Sequence, residues 1–162
     1  MLELRHRHRL RRKETRKLAD ELMCALGVAT FDEGDAVDMG DTQRFQVVIF
    51  QNEVVGIVVD GSAFLTVKGL LRWKPQKRAV SVDEGAIRFI CNGADVMGPG
   101  ISGADPSIAP GDMVWVRDLK HLKPLAVGKA MVSGAVMASK APGKAVKNIH
   151  YVGDELWTLE SG

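Results

Sequence analysis

The sequence predicts an α+β protein: a small α/β domain over residues 1–75, then a β pseudo-barrel with an edge helix over residues 76–159. Three observations support this prediction: a helical repeat of leucines near the start, runs of β-branched residues further on, and glycine-proline turns between short strands in the second half. The 162 residues are 46% hydrophobic and 26% charged. This length and composition suit a globular chain with one ordinary domain or two small ones.

The first domain is predicted to begin with a basic entry and a helix over residues 5–26. Leucines recur every four residues from Leu18 to Leu26 and form one apolar stripe. Gly27 is suited to end the helix because glycine readily adopts left-handed backbone geometry. The segment 30–42 is rich in Asp and Gly and is predicted to be a loop.

Strand signals follow in the same domain. Runs of β-branched and aromatic residues predict strands over residues 45–50 and 54–59, and residues 64–67 are either a strand or a strand-helix junction. Asp60-Gly61 predicts the turn of a hairpin. Residues 70–74 are a short helical or extended connector, and Pro75 marks the predicted domain boundary.

Residues 82–100 predict a short helix over 83–91 that ends in a glycine-rich turn and continues into a strand. Asp83 is the expected N-cap, with its carboxylate accepting from free N–H groups of the first turn. Asn92-Gly93 suits the left-handed geometry of a helix end. Gly98-Pro99-Gly100 predicts an irregular loop, and two interpretations are open: it only makes a tight corner, or its main-chain N–H groups are open to a ligand such as phosphate.

Short strands and tight turns are predicted for the rest of the second domain. Ala109-Pro110-Gly111-Asp112 has the residue order of a type II turn. Strand signals lie over residues 79–82 and 114–116. Many short strands separated by Gly/Pro turns favour a small barrel.

The C-terminal half resembles the PUA domain, named for pseudouridine synthases and archaeosine transglycosylases. The motifs that carry the resemblance lie at residues 82–100, 110–116, 125–130 and 143–157. The last of these segments is most similar to the stand-alone proteins related to the malignant-T-cell-amplified-sequence family and their archaeal counterparts. The resemblance implies a PUA-type pseudo-barrel over residues 76–159 that contacts RNA along its helix-loop-strand edge.

The same resemblance implies which residues of this edge contact RNA. Arg88 and Lys129 supply positive charge, and the glycine-rich loop supplies backbone. A bulky substitution such as Gly98→Glu is expected to block phosphate without unfolding the chain if the φ angle of Gly98 is negative. The implied RNA-binding residues are Arg88, Gly93, Ala94, Met97, Gly98, Pro99, Gly100, Lys129 and Lys147, with Lys144 and His150 as further candidates.

Charge is unevenly distributed over the first domain. Residues 1–17 hold eight Lys/Arg and two His, whereas residues 18–43 hold seven Asp/Glu and no Lys or Arg. Two interpretations of the basic segment remain open. It is either a solvated helix face with a ragged terminus, or a surface that follows phosphates, with Arg9, Arg11 and Arg12 among its RNA contacts.

Motifs of catalysis are absent from the sequence. It has no nucleophile elbow, no Walker loop and no dinucleotide fingerprint. Only about 75 residues precede the PUA-like half, too few for the catalytic domain of the enzymes that gave the domain its name. We therefore expect no enzymatic activity, no cofactor and no metal, since His6 and His8 lie among arginines that would repel a cation.

The remaining reactive and aromatic residues favour structural roles. Cys24 and Cys91 are expected to be buried thiols in a reducing cytosol. The three tryptophans favour core or hinge packing over stacking on bases, because each buries a large area.

The sequence thus predicts a cytoplasmic, non-catalytic protein that binds structured RNA, with tRNA or ribosomal RNA as the ligand. The resemblance implies a role near translation initiation or ribosome recycling, with the small ribosomal subunit or a translation factor as partner and no membrane association. Two alternatives stay open. One is a detached RNA-binding accessory subunit of an RNA-modification enzyme, and the other is a protein-interaction scaffold.

Overall fold

The computed structural model describes residues 1–160. The chain divides into two compact units. The first unit comprises Met1–Gln76 together with the segment that begins at Glu155, and the second comprises Lys77–Asp154. The predicted domain limits, 1–75 and 76–159, remain predictions that limited proteolysis around Pro75 tests.

The first unit contains a five-stranded antiparallel sheet whose strands follow chain order. Two helices, α1 (Arg12–Leu26) and α2 (Val67–Trp73), accompany the sheet. The strands are β1 (Arg5–Arg9), β2 (Val37–Asp41), β3 (Gln46–Phe50), β4 (Glu53–Val59) and β5 (Ser62–Leu65).

Helix α1 confirms the leucine repeat, since Leu18, Leu22 and Leu26 are all buried. Gly27 ends the helix at a φ angle of 69°, as its backbone freedom predicts. The basic entry to this helix is the strand β1, and its residues are all exposed.

The prediction of a loop over residues 30–42 is wrong for its second half, where β2 pairs with both β1 and β3. Val37 of β2 is fully buried, and Asp38 is held by arginines of β1. Ion pairing therefore places an Asp- and Gly-containing segment in a sheet, although its composition favours a loop.

Both hairpin turns of the first unit have the left-handed geometry that two-residue loops require. Gln51 and Asn52 have φ angles of 49° and 62°, and Asp60 and Gly61 have φ angles of 51° and 79°. These turns bring β3, β4 and β5 into register and confirm the predicted hairpin at Asp60-Gly61.

The second unit is a nearly closed six-stranded pseudo-barrel, which confirms the predicted fold class. All neighbouring strands are antiparallel except one parallel pair, the first and the fourth strands of the unit. In spatial order the strands are β7 (Val96–Met97), β11 (Lys144–Tyr151), β10 (Pro124–Ala130), β9 (Met113–Asp118), β6 (Ala79–Val82) and β8 (Ile101–Ala104).

Two short helices belong to this unit, α3 (Glu84–Ile90) and α4 (Gly134–Ala138). The sequence predicted α3 but not α4, which begins where the Ser133 hydroxyl accepts from Val136 N at 3.3 Å. Fully buried aliphatic side chains fill the barrel, and each contributes about 1.5–3 kcal/mol relative to exposure. The core includes Val80, Val82, Ile90, Ile101, Val114, Val116, Met137 and Val146.

The predicted type II turn at Ala109–Asp112 is present. Gly111 at its third position has a φ angle of 91°, and Asp112 N donates to the Ala109 carbonyl at 3.1 Å. Trp115 on the next strand is buried, and its Nε1 donates to the Lys77 carbonyl at 2.8 Å. Trp115 is therefore a core residue rather than a stacking platform.

Two further findings concern cysteines and membranes. Cys24 is exposed on α1, so the expectation that both thiols are buried is wrong for this residue; its place in the helix is outside the leucine stripe. Among residues 1–160, no helix is both long enough and apolar enough to cross a membrane.

Candidate nucleic-acid interface

The start of α3 differs from the predicted cap. Asp83 occupies the N-cap position, but its carboxylate makes no capping hydrogen bond and instead accepts from the Ser102 hydroxyl on β8. Asp83 N donates to the Gly100 carbonyl at 2.9 Å. Asp83 therefore connects α3 to the start of β8 rather than satisfying the first turn of its own helix.

The end of α3 turns sharply towards β11. Gly93 has a φ angle of 94°, and its N–H donates to the Ile90 carbonyl at 3.0 Å, while Ala94 N donates to the Phe89 carbonyl at 3.0 Å. A Cβ on Gly93 would lie 3.1 Å from the Tyr151 ring. The glycine thus allows both the left-handed turn and close packing on the last strand.

Asn148 on β11 holds this turn in place. Its Nδ2 donates to the Ile90 carbonyl at 3.1 Å and to the Ala94 carbonyl at 3.0 Å. Its backbone N–H donates to Asp95 Oδ1 at 2.8 Å, and Asp95 Oδ2 pairs with Lys144 Nζ at 2.9 Å. Hydrogen bonding to Lys144 lowers the pKa of Asp95, burial opposes this, and the bond from Asn148 lowers the pKa further.

Gly98 does not offer its N–H to a ligand, contrary to the sequence prediction. That N–H donates to the Gly143 carbonyl at 2.9 Å, and Pro99 has no N–H to offer. A Cβ on Gly98 would lie 1.7 Å from the Ala141 carbonyl oxygen. The expectation that Gly98→Glu leaves the fold intact is therefore wrong, because backbone contact, not φ, requires glycine here.

The exposed side chains of the loop are those of Ala94, Met97 and Pro99. Residues Gly98–Gly100 form a single 3₁₀ turn that joins β7 to β8, and Gly98 is buried in it. The loop thus presents side chains and a rigid turn at the surface, rather than a row of open N–H groups.

Two cations lie directly opposite each other at this edge. Lys129 on β10 and Lys147 on β11 are register partners, and Lys147 is exposed. Directly opposed positions of an antiparallel pair lie on the same face of the sheet, so the two lysines are carried by one face. Arg88 on α3 is also exposed and lies over the Phe89 ring at 4.9 Å.

Two further candidates have other partners. Lys144 is engaged by Asp95, as described above. His150 is 1% exposed, and its Nδ1 lies 3.0 Å from the Asp154 carboxylate in the turn that follows β11. A buried histidine of this kind supports the turn and is not accessible to RNA, so its candidacy from sequence is wrong.

The basic segment of the first unit separates into paired and unpaired cations. Asp38 accepts from Arg7 Nε at 2.8 Å and from Arg9 Nε at 2.5 Å. Burial raises the pKa of Asp38, but hydrogen bonds from Arg9 and Arg7 and their charges outweigh burial and lower it. Arg12 pairs with Glu33 at 2.9 Å. Arg12 is thus paired with one carboxylate of its own, whereas Arg7 and Arg9 share the single negative charge of Asp38.

Within residues 1–17, the lysines and arginines without an ion pair lie at the start of α1. They are exposed, and their spacing of three and four residues places several on one helix face. This set, called here the α1 cation face, consists of Arg11, Lys13, Arg16 and Lys17. The sequence prediction included all four in the basic segment but named Arg9, Arg11 and Arg12 as the RNA contacts. It could not separate paired from unpaired cations, because the partner carboxylates of Asp38 and Glu33 are distant in sequence.

The described chain contains no group of three or more His, Cys, Asp or Glu side chains that could hold a metal ion.

A nearly closed six-stranded pseudo-barrel with an edge helix, in a chain that also carries a small α/β unit, defines the class of PUA-type proteins. Residues 78–152 match the family model of the PUA domain.

Relatives place the chain more narrowly. An uncharacterized protein of Methanocaldococcus jannaschii is 38% identical over 98% of this chain and 99% of its own length. A conserved PUA domain protein from Thermoplasma acidophilum superposes with a TM-score of 0.78 at 32% identity, over 93% of this chain and 96% of that one. Translation machinery-associated protein 20 of Saccharomyces cerevisiae is 33% identical, over only 49% of this chain and 48% of its own.

The chain therefore belongs to the PUA-domain proteins that are homologous to translation machinery-associated protein 20 and to the malignant T-cell-amplified sequence proteins. The identification from sequence is confirmed.

Proposed function

We propose that this protein is a non-catalytic RNA-binding protein that acts in translation and recognises structured RNA, namely tRNA or ribosomal RNA. Its relatives support this proposal, since one of them carries translation machinery in its name. A role near initiation or ribosome recycling, in the cytoplasm and with the small ribosomal subunit or a translation factor as partner, forms part of the same proposal.

The observation that carries the proposal is the opposition of Lys129 and Lys147. The two lysines place positive charge on adjacent strands beside the turn that Asn148 holds. A phosphate group bound at this edge would be attracted by both charges. Arg88 would add a third charge at the helix of this edge.

The remaining predicted residues have supporting roles in this interface. Gly93 and Gly98 let the chain turn and pack closely, and Gly100 joins the turn to β8. The exposed residues Ala94, Met97 and Pro99 form the surface that RNA would contact by shape rather than by charge.

A second phosphate-contacting surface in the proposal is the α1 cation face. Unlike Arg7, Arg9 and Arg12, its four cations need not give up an ion pair in order to bind phosphate. Sequence-independent contacts of this kind strengthen binding and increase its dependence on salt.

The experiment measures the affinity of the full chain for a tRNA transcript and for a small-subunit ribosomal RNA fragment across a KCl series. The double variant Lys129→Gln/Lys147→Gln is expected to flatten the slope of log K against log salt by about 1.5–2, if each lysine neutralises one phosphate. The matched control is Lys77→Gln/Lys140→Gln, which removes the same charge from exposed lysines elsewhere in the unit. An equal slope change in both variants would refute the assignment of this edge.

Co-sedimentation separates a translation role from service to a modification enzyme. The tagged chain is expected to sediment with small ribosomal subunits at low salt and to leave them in the lysine double variant. Copurification with an RNA-modification enzyme in place of ribosomal subunits would support the accessory-subunit alternative instead.

A further inference from the structure

The turn between β9 and β10 is rigid. Asp118 lies beneath it, and its two carboxylate oxygens accept from His121 N and from Lys123 N, each at 2.7 Å. Leu122 N donates to the Asp118 carbonyl at 3.0 Å, and Leu119 N donates to the Val82 carbonyl at 3.2 Å. Residues 119–123, called here the leucine turn, thus hold a fixed conformation.

The leucine turn presents apolar side chains to solvent. Leu119 is 55% exposed and Leu122 is 52% exposed. Single exposed leucines are ordinary on protein surfaces, but two in a rigid four-residue span form a compact apolar projection. Neither leucine is buried, so neither contributes the hydrophobic free energy that a buried leucine normally adds to folding.

Leu122 is also unfavourable for the backbone. Its φ angle is 56°, in the left-handed region that glycine and asparagine adopt more readily than residues with larger side chains. Among residues 1–160 it is the only aliphatic residue with a positive φ angle. Asparagine or glycine would suit this backbone conformation better, so leucine at this position costs stability.

Positive charge surrounds the two leucines. Lys120, His121 and Lys123 are exposed, and neither lysine has an ion pair among residues 1–160. The carboxylate of Asp118 is buried and accepts hydrogen bonds from the backbone of the turn. The projection is therefore apolar at two positions and cationic between and after them.

We propose that the leucine turn is a docking element for an acidic segment of a partner protein that carries large apolar side chains. The leucines would pack against apolar side chains of that segment, and the lysines would pair with its carboxylates. The turn is pre-organised by Asp118, so little conformational entropy is lost on docking.

The chemistry of the turn favours protein over the other polyanionic ligands. RNA is recognised through phosphate charge and through stacking on aromatic side chains, and the leucine turn contains no aromatic ring other than that of His121. Stable binding to an anionic membrane surface needs a larger apolar face than two leucines provide.

The test is selection of a random 12-residue peptide display library against the full chain, with Leu122→Asn as the counter-selection target. Selected peptides are then synthesised, and their binding to each variant is measured by fluorescence anisotropy. We expect peptides rich in Asp or Glu together with Leu, Ile, Phe or Trp, and at least tenfold weaker binding by Leu122→Asn and by Leu119→Ser. The matched control is Leu71→Ser, an exposed leucine on α2 of the first unit.

Stability distinguishes docking from a structural role. Leu122→Asn should unfold at the same temperature as the parent or about 2 °C higher, because backbone strain is relieved and no buried contact is lost. A fall in the unfolding temperature of the variant would show that Leu122 is structural and would overturn the proposal.

Two other outcomes would also overturn it. One is a failure of the library to yield any Leu122-dependent acidic peptide. The other is Leu122-dependent binding of the tRNA transcript, or of vesicles of phosphatidylglycerol and phosphatidylcholine, in the absence of such peptides. Neither outcome alters the lysine-edge experiment, so the two proposals are tested separately.

Discussion

Gly98 lies so close to Ala141 that a Cβ on residue 98 would be 1.7 Å from the Ala141 carbonyl oxygen. The contact brings the turn that follows β7 against the segment that precedes β11. It is reinforced by the hydrogen bond from Gly98 N to the Gly143 carbonyl at 2.9 Å. Gly98 is thus required by the proximity of two backbones, and its place beside the proposed RNA edge is a consequence of packing.

The substitution Gly98→Ala should therefore destabilise the protein by about 1–3 kcal/mol, the range for overpacking a close contact. Urea unfolding measures the change. Gly85→Ala is the matched control, because Gly85 is exposed in α3 and a Cβ there would meet no atom within 4 Å. The control should be stabilised by about 0.5–1 kcal/mol through helix propensity. Equal stability of Gly98→Ala and the parent would contradict the close contact.

Asn148→Ala should loosen the turn between α3 and β7. The variant removes the donor that the carbonyls of Ile90 and Ala94 share. Because the Ile90 carbonyl keeps its bond from Gly93 N, we expect a loss of about 0.5–1.5 kcal/mol per hydrogen bond rather than the larger cost of a buried unpaired acceptor. We expect faster amide exchange at Ala94 and Asp95, together with weaker binding of the tRNA transcript. Asn92→Ala removes one exposed bond, to the Arg88 carbonyl, and serves as the comparison. Similar exchange rates in both variants would show that Asn148 does not hold the turn.

Acid should destabilise the protein partly through Asp118. Burial raises the pKa of this carboxyl, but the hydrogen bonds from His121 and Lys123 outweigh burial, so its folded pKa lies below the ordinary value. The unfolded state then binds the proton first as the pH falls. The contribution is therefore complete above the ordinary pKa, about 3.9, and is lost as the pH falls through the folded pKa.

The measurement is the free energy of unfolding between pH 7 and pH 2. Asp118→Asn should be less stable at pH 7 and should lose stability less steeply below pH 4, by up to about 1.4 kcal/mol per pH unit. Asp20→Asn is the control, because Asp20 is exposed and has no hydrogen bond or ion pair among residues 1–160. A parallel pH profile for Asp118→Asn and the parent would contradict the role of this carboxylate.

Much of the fold could be predicted because its signals are local. The leucine repeat of α1, the Asp60-Gly61 hairpin and the Pro110-Gly111 turn all depend on residues that are neighbours in sequence. Helix α4 was missed because five residues are too few to show a helical period. Strand β2 was missed because ion pairs with another strand, rather than its own composition, place it in the sheet.

The candidate site was less predictable because its contacts join residues that are distant in sequence. Arg88 and Lys129 could be selected from charge and resemblance, and the structure places both in the second unit. The role of Asn148 depends on carbonyls more than fifty residues away, and nothing in its sequence neighbourhood signals it. The requirement for glycine at position 98 likewise comes from a segment over forty residues later.

The division of the basic segment into paired and unpaired cations gives a last prediction. Lys13→Gln/Arg16→Gln/Lys17→Gln removes three charges of the α1 cation face while keeping good helix formers. We expect the salt slope of RNA binding to flatten by about 2–3.

The matched variant is Arg7→Gln/Arg9→Gln, which leaves Asp38 without its partners. It should lower the free energy of unfolding and change the slope by about 1 at most, because the two guanidinium groups share the charge of Asp38 and only one net positive charge remains to neutralise a phosphate. Salt titration and urea unfolding of both variants therefore separate the two interpretations of the basic segment. If the β1 variant flattens the slope and the α1 variant does not, RNA binds the paired arginines and the α1 cation face is an ordinary solvated surface.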